Sequence, residues 1–258
     1  MRIQSKNKVI VKNKVFGGER ILTCIPLVAK DKETLLSQAE EIVELKPDII
    51  EWRVDFFENV SNVESVVEGL EGLANIIRDI PLIFTLRHYN EGGQAKLKQE
   101  QRIEIIRQSL ETGKVDIVDV EIINGSDFIN VVKNLGIVND TKLILSYHNF
   151  NETPNEEFML DKLKEGERLG ADIVKIAVMP QNHGDVLKLL NVTYKSRNII
   201  STPLISMSMG DIGVVTRIIG GIFGSDMTFA VGKESSAPGQ IPIEDINTVL
   251  EIMGQNIS

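Results

Sequence analysis

The chain has 258 residues, of which 42% are hydrophobic and 25% charged, values of a globular protein long enough to bury one large core. A formal net charge of −9 argues against a nucleic-acid role, although an acidic surface can still enclose a basic pocket. With Cys24 as the single cysteine no disulfide can form within these residues, and no stretch reaches the ~20 apolar residues of a membrane span, so a soluble cytoplasmic protein is expected.

The first twenty residues lack the apolar run of a signal sequence. Instead Lys8-Val9-Ile10-Val11-Lys12 and Lys14-Val15-Phe16, separated by Asn13, alternate as a small β-hairpin would. Short apolar segments rich in β-branched residues then recur at 21–27, 48–54, 82–87, 115–122, 142–148, 172–178, 203–209 and 227–231. Helix-length segments separate them at 32–46, 63–78, 98–112, 126–135, 156–169, 184–197 and 212–223, and a last one follows at 243–254. Eight βα units in this length predict an α/β fold, a (β/α)8 TIM barrel rather than an open doubly wound sheet. The expected organisation is a single domain over 1–258, with residues 1–19 as a hairpin extension capping the bottom of the barrel. Cys24 lies in an apolar strand and reads as a buried spectator.

Lys175 stands in Asp172-Ile173-Val174-Lys175-Ile176-Ala177-Val178, a run otherwise apolar beyond its first residue. In a buried strand, desolvation disfavours an ammonium and makes the neutral amine, a nucleophile toward carbonyls, available. A lysine snorkelling to water or paired with an acid explains the same residue equally well. Other strand ends bear on the choice, because chemistry in a TIM barrel collects at the C-terminal ends of the strands. Glu51-Trp52-Arg53-Val54-Asp55 places Glu51 and Arg53 on one face by its period of two, Thr85-Leu86-Arg87 alternates likewise, and the fifth strand ends Ser146-Tyr147-His148. Glu51 and Arg53 read singly as a structural ion pair, and His148 as a hydrogen-bonding residue. Together the acid, two arginines, imidazole and lysine converge on one rim suited to carbonyl chemistry on an acidic substrate. Cations near the lysine add to its desolvation.

Metal binding is not expected: His88, His148 and His183 are the only histidines, and no metal-ligand spacing occurs. No cofactor motif is present. Gly210-Asp211-Ile212-Gly213 after the seventh strand, with Arg217 one turn on, makes an anion site credible without naming the anion.

These motifs, with Glu91-Gly92-Gly93 after the third strand, Asp119-Val120-Glu121-Ile122, Leu143 to Asn149, Ser206-Met207-Ser208-Met209-Gly210 and Ser236-Ala237-Pro238-Gly239-Gln240, resemble type I 3-dehydroquinate dehydratase along essentially the whole chain. The resemblance implies a hydro-lyase of the shikimate pathway that dehydrates 3-dehydroquinate to 3-dehydroshikimate without a cofactor, often as a homodimer. It implies a Schiff base at Lys175, general acid and base catalysis by His148, and Glu91 orienting His148. It further implies that Arg217 holds the substrate carboxylate, that Glu51, Arg53 and Arg87 bind ring hydroxyls and shape the field, and that Ser236 and Gln240 belong to a loop over the substrate. Asp119 and Glu121 share one strand face as supporting acids of open role, and Thr23 is open as well. A class I aldolase would use the same lysine but break a C–C bond, and a non-enzymatic metabolite sensor would bind without turnover.

Overall fold

A computed structural model describes residues 2–232 and 238–254. Strands β1 (Val9–Val11) and β2 (Lys14–Phe16) form the expected hairpin, with Val11 opposite Lys14. Then follow β3 (Leu22–Leu27), α1 (Lys32–Glu44), β4 (Ile49–Arg53), α2 (Val63–Ile77), β5 (Leu82–Thr85), α3 (Gln99–Glu111), β6 (Ile117–Glu121) and α4 (Gly125–Val138). The second half continues β7 (Lys142–Asn149), α5 (Glu156–Leu169), β8 (Ile173–Val178), α6 (His183–Ile199), β9 (Leu204–Ser208), α7 (Gly210–Gly213), α8 (Val215–Phe223), β10 (Met227–Val231), β11 (Ile241–Pro242) and α9 (Ile243–Ile252). Asp31, Asn62, Asn155 and Asn182 start four of the helices by accepting a backbone N–H three residues on, which satisfies one donor of the first turn.

Strands β3 to β9 pair in parallel in chain order, and β10 pairs with β3. The chain entering β10 meets β9 through Asp226, whose N–H donates to the Leu204 carbonyl at 2.7 Å while its Oδ2 accepts from the Leu204 N–H. The curled sheet is thus a parallel α/β barrel. Outward strand residues such as Trp52, Phe84, Val174 and Ile176 pack under the helices, where Trp52 meets Phe57 and Phe84 edge-on at 5.8 Å. Inward residues form a second core: Leu22, Ile49, Ile83, Ile117, Ile144 and Ile173 fill the lower barrel with Val11 and Phe16 of the hairpin. The hairpin is pinned there by Lys14 on Asp48, which Arg20 beyond the hairpin also pairs with, and by Lys12 on Asp116.

One expectation needs correcting, and one strand went unforeseen. The helix foreseen over 212–223 is divided at Val214 into α7 and α8, and Gly213 packs so closely against the Ser208 backbone that a β-carbon there would come within 2.6 Å of it. Strand β11, two residues including a proline, carries no periodicity to read, yet it pairs in parallel with Ala230 and Val231.

Candidate functional site

The period of two that builds the barrel also builds the site. On β8, Ile173 faces the lower core while Lys175 and Ala177 face a cleft above it. Glu51 and Arg53 from β4, Arg87 beyond β5, His148 near the end of β7, Phe229 from β10 and Arg217 from α8 line the same cleft, which encloses about 440 Å³ with its open mouth included. Glu51, Arg53, Arg87, Lys175 and Arg217 are all buried, so the strand-end polar residues converge as a group.

The acids around Lys175 are the main addition to the sequence reading. Nζ donates to Asp119 Oδ2 at 2.8 Å, lies 3.8 Å from Glu51 Oε1 and sits 4.6 Å from the centre of the Phe229 ring. Pairing with an acid and placement in the cleft, treated as competing explanations from sequence, coexist. Asp119 also accepts from both Nη atoms of Arg87 at 3.1 and 3.0 Å and from Ser146 Oγ at 2.5 Å. Burial opposes its ionisation, but Arg87 and Lys175 overcome that and hold the carboxyl well below the usual carboxylate range. Against the same pull of burial, Asp119 and Glu121 raise the affinity of Arg87 for its proton. Glu121 ties Arg87 (2.8 Å) to Arg102 (3.1 Å) and accepts from the His88 N–H, a supporting role away from the cleft lining. Arg53 is held in a fork by Asp55 at 2.8 and 2.9 Å, and Asp55 also accepts from the Gln94 N–H, joining β4 to the loop that carries Glu91.

Glu91 reaches His148 because of the two glycines after it. Gly92 has φ +85°, and a β-carbon there would meet Phe150 at 2.4 Å; at Gly93 one would meet the Arg87 carbonyl oxygen at 2.1 Å. The tight turn places Glu91 Oε2 2.8 Å from the His148 N–H and 3.0 Å from its Nδ1. Burial, with Glu121 adding repulsion, pushes Glu91 up to about 8. Burial, Arg87 and Lys175 push His148 well below the usual imidazole range. With Nδ1 engaged by Glu91, Nε2 is the ring nitrogen left to face a ligand.

Arg217 is the odd cation. Its Nη atoms reach the Phe229 and Pro238 carbonyls at 3.4 and 3.1 Å and the Met207 sulfur at 3.7 Å, while Nε has no partner and no carboxylate pairs with it among the described residues. Burial lowers it to about 10. Gln240 lines the cleft, whereas Ser236 lies outside the described residues. Thr23, left open from sequence, bonds Asp48 at the lower end of β3, away from the site. Sequence reasoning passed over Met207, Met209 and Phe229 as lining residues. Their inward phase, two residues apart on β9 and its end and alternating on β10, was the available signal.

A larger cleft of about 1230 Å³, open mouth included, lies between α1 and Gly232, but its lining has acids and hydroxyls without a lysine or imidazole. Among the described residues no group of three or more His, Cys, Asp and Glu side chains is arranged to hold a metal ion.

The family model of type I 3-dehydroquinase matches residues 23–257. A 3-dehydroquinate dehydratase of Clostridioides difficile (strain 630) is 43% identical over 254 residues, covering 98% of this chain and all of that one. The crystal structure of 3-dehydroquinate dehydratase from Geobacillus kaustophilus HTA426 superposes with a TM-score of 0.96 at 41% identity over the full length of both chains. The type I enzyme from Clostridium difficile with covalently modified comenic acid superposes with a TM-score of 0.93 at 42% identity, covering 98% of each chain. Full-length similarity at these identities, on the same barrel, places the chain in a family: it belongs to the type I 3-dehydroquinases.

Proposed function

We propose that the chain dehydrates 3-dehydroquinate to 3-dehydroshikimate by syn elimination through an imine at Lys175. The observation that carries this reading is the convergence, in one buried cleft, of an amine, an imidazole and a guanidinium without a carboxylate partner among the described residues. Lys175 Nζ attacks the C3 ketone. The resulting iminium withdraws electrons and acidifies the C2–H bond. His148, kept neutral by burial and neighbouring cations, removes that proton and then delivers it to the departing C1 hydroxyl. One imidazole serving both steps acts from one side of the ring, which accounts for a syn course. Glu91 fixes the imidazole through Nδ1. Arg217 offers its guanidinium to the substrate carboxylate. Glu51 and Arg53 border the ring, Arg87 shapes the field from its carboxylate cluster, and Ser236 and Gln240 belong to the loop over the substrate.

A homodimer and a cytoplasmic location belong to the same reading, supported by the family resemblance and by the single, buried cysteine. Sedimentation velocity tests the former. For the chemistry, borohydride reduction with substrate present is expected to leave an irreversible adduct on Lys175, located by peptide mass spectrometry. An adduct on any other lysine rejects the assignment.

A further inference from the structure

Asp119 takes no step in the scheme above, yet it is the carboxylate nearest the reacting nitrogen. We propose that Asp119 is the resident counterion of the imine, holding the positive charge at Lys175 Nζ in both the ammonium and the iminium. The inference rests on the Lys175 imine reading and adds a partner to it.

The charge balance of the reaction gives the reason. An ammonium and a ketone become an iminium and water: the C–N bond forms, the C–O bond breaks, and two protons from nitrogen leave with the ketone oxygen. Nitrogen therefore starts and finishes this stage with one positive charge and is neutral only as the attacking amine. It becomes neutral again when the C2 proton is lost and the electron pair of that C–H bond forms the enamine. Expulsion of the C1 hydroxyl, protonated by His148, then restores the iminium. A fixed anion 2.8 Å from Nζ favours each cationic state over the neutral state beside it. It makes attack and C2 deprotonation more demanding, and it drives the enamine forward to lose water rather than accumulate.

The other groups facing Nζ do not fill this place. Glu51 from β4 is a full ångström farther at 3.8 Å, and its Oε1 already accepts from Thr85 Oγ1 at 2.8 Å. Phe229 from β10 offers only the face of its ring, 4.6 Å away. Arg87 beyond β5, His148 from β7 and Arg217 from α8 bring no negative charge, and Cys24 from β3 is held as a neutral thiol by burial and by Glu51. Asp119 is buried with both oxygens occupied by Arg87, Ser146 and Lys175, so its position is fixed before substrate arrives.

Reductive methylation with formaldehyde and cyanoborohydride, read at Lys175 by peptide mass spectrometry across pH, reports the fraction of neutral amine. In Asp119→Asn the midpoint of that profile is expected to move to lower pH by about 1–3 pH units, the effect of removing an opposite charge at this distance. Borohydride-trapped adduct should nevertheless fall, because the iminium loses its anion. Ser146→Ala removes a donor from Asp119, leaves its charge less satisfied, and should move the midpoint the other way. A purely structural aspartate would lower turnover at every pH and leave the midpoint in place. An unmoved midpoint in folded Asp119→Asn overturns the proposal; should that variant not fold, an unmoved midpoint in Ser146→Ala does so. An adduct mapping away from Lys175 in the unsubstituted enzyme would instead sink the imine reading itself.

Discussion

The two ends of this barrel bury similar charges and use them in opposite ways. At the lower end Asp226 accepts from Arg2, from Arg197 at 2.6 Å and from the Leu204 N–H, while the two arginines direct further donors to the carbonyls of Gly18, Arg20, Ser225, Gly224 and Thr202. Both guanidinium groups there are paired with the Asp226 carboxylate, although Arg2 Nε itself has no partner, and an apolar layer from Leu22 to Ile173 separates them from the cleft. At the upper end Arg217 has carbonyls and a sulfur but no carboxylate among the described residues, His148 Nε2 faces the cleft, and Lys175 shares Asp119 with Arg87. A buried cation answered by a carboxylate within the protein contributes to specifying the fold, and one left without a carboxylate is available to an anionic ligand.

Substitutions at the two ends should separate accordingly. The largest effect is expected at the top. His148→Ala should fold normally and lose roughly 10²–10⁴ in kcat, because a single imidazole serves several proton transfers. Ultraviolet absorbance of the conjugated enone product measures it. Turnover close to that of the unsubstituted enzyme would move the proton transfers to another group, Glu91 first.

At the bottom the effect belongs to stability. Asp226→Asn leaves two buried guanidinium groups without their anion, and breaking such a pair costs about 3–5 kcal/mol. For a chain of this size that is a fall in melting temperature of about 6–20 °C. Turnover per folded molecule should stay unchanged at a temperature where the variant is folded. A lowered kcat without a lowered melting temperature would show that the lower network communicates with the site.

Arg217 is the intermediate case, a buried cation held ready for an anion that arrives later. Arg217→Ala should weaken binding of a non-reacting, carboxylate-bearing substrate analogue by about 10–150-fold, the value of a charge-assisted hydrogen bond lost. Arg217→Lys should rescue only in part, since an ammonium keeps the charge but not the fork. Equilibrium binding to both variants decides it, and normal affinity in Arg217→Ala places the carboxylate elsewhere.

How much of this was legible follows from which interactions are local. Alternation within a strand is a two-residue pattern, so Glu51 with Arg53, the inward phase of Lys175 and the β/α order could all be read from the chain. The Lys175 to Asp119 contact spans 56 residues and depends on the register of β6, β7 and β8, which no local pattern fixes. The cationic surroundings expected for the lysine therefore lacked their nearest member, an acid. The close approach of Gly213 to β9 is likewise a tertiary distance that no local pattern shows.

The smallest predicted effect lies inside the upper network and concerns pH. Glu91 is pushed up to about 8 by burial and by Glu121, well above the ordinary glutamate value near 4.5. Over the interval between those values the folded state binds more protons at this site than the unfolded state, so its contribution to stability is present below about 4.5 and lost as pH rises through about 8. His148 has the opposite sign: burial and its cationic neighbours lower it, so stability from this group is present above its ordinary value near 6.5 and lost as pH falls below it. Between 6.5 and 8 the His148 contribution is close to complete, so the Glu91 contribution dominates the change of this pair. Glu91→Gln cannot titrate, yet it keeps an oxygen to accept the His148 N–H. The unsubstituted protein should therefore lose about 1–2 kcal/mol more stability than the variant between pH 6.5 and 8, since one extra proton on the folded state is worth ~1.36 kcal/mol for every pH unit crossed. The difference in melting temperature between the two proteins should change by about 2–8 °C across that interval. An unchanging difference would mean that Glu91 is already ionised at pH 6.5, with the shared proton on His148, and that the imidazole begins the reaction as an acid rather than a base.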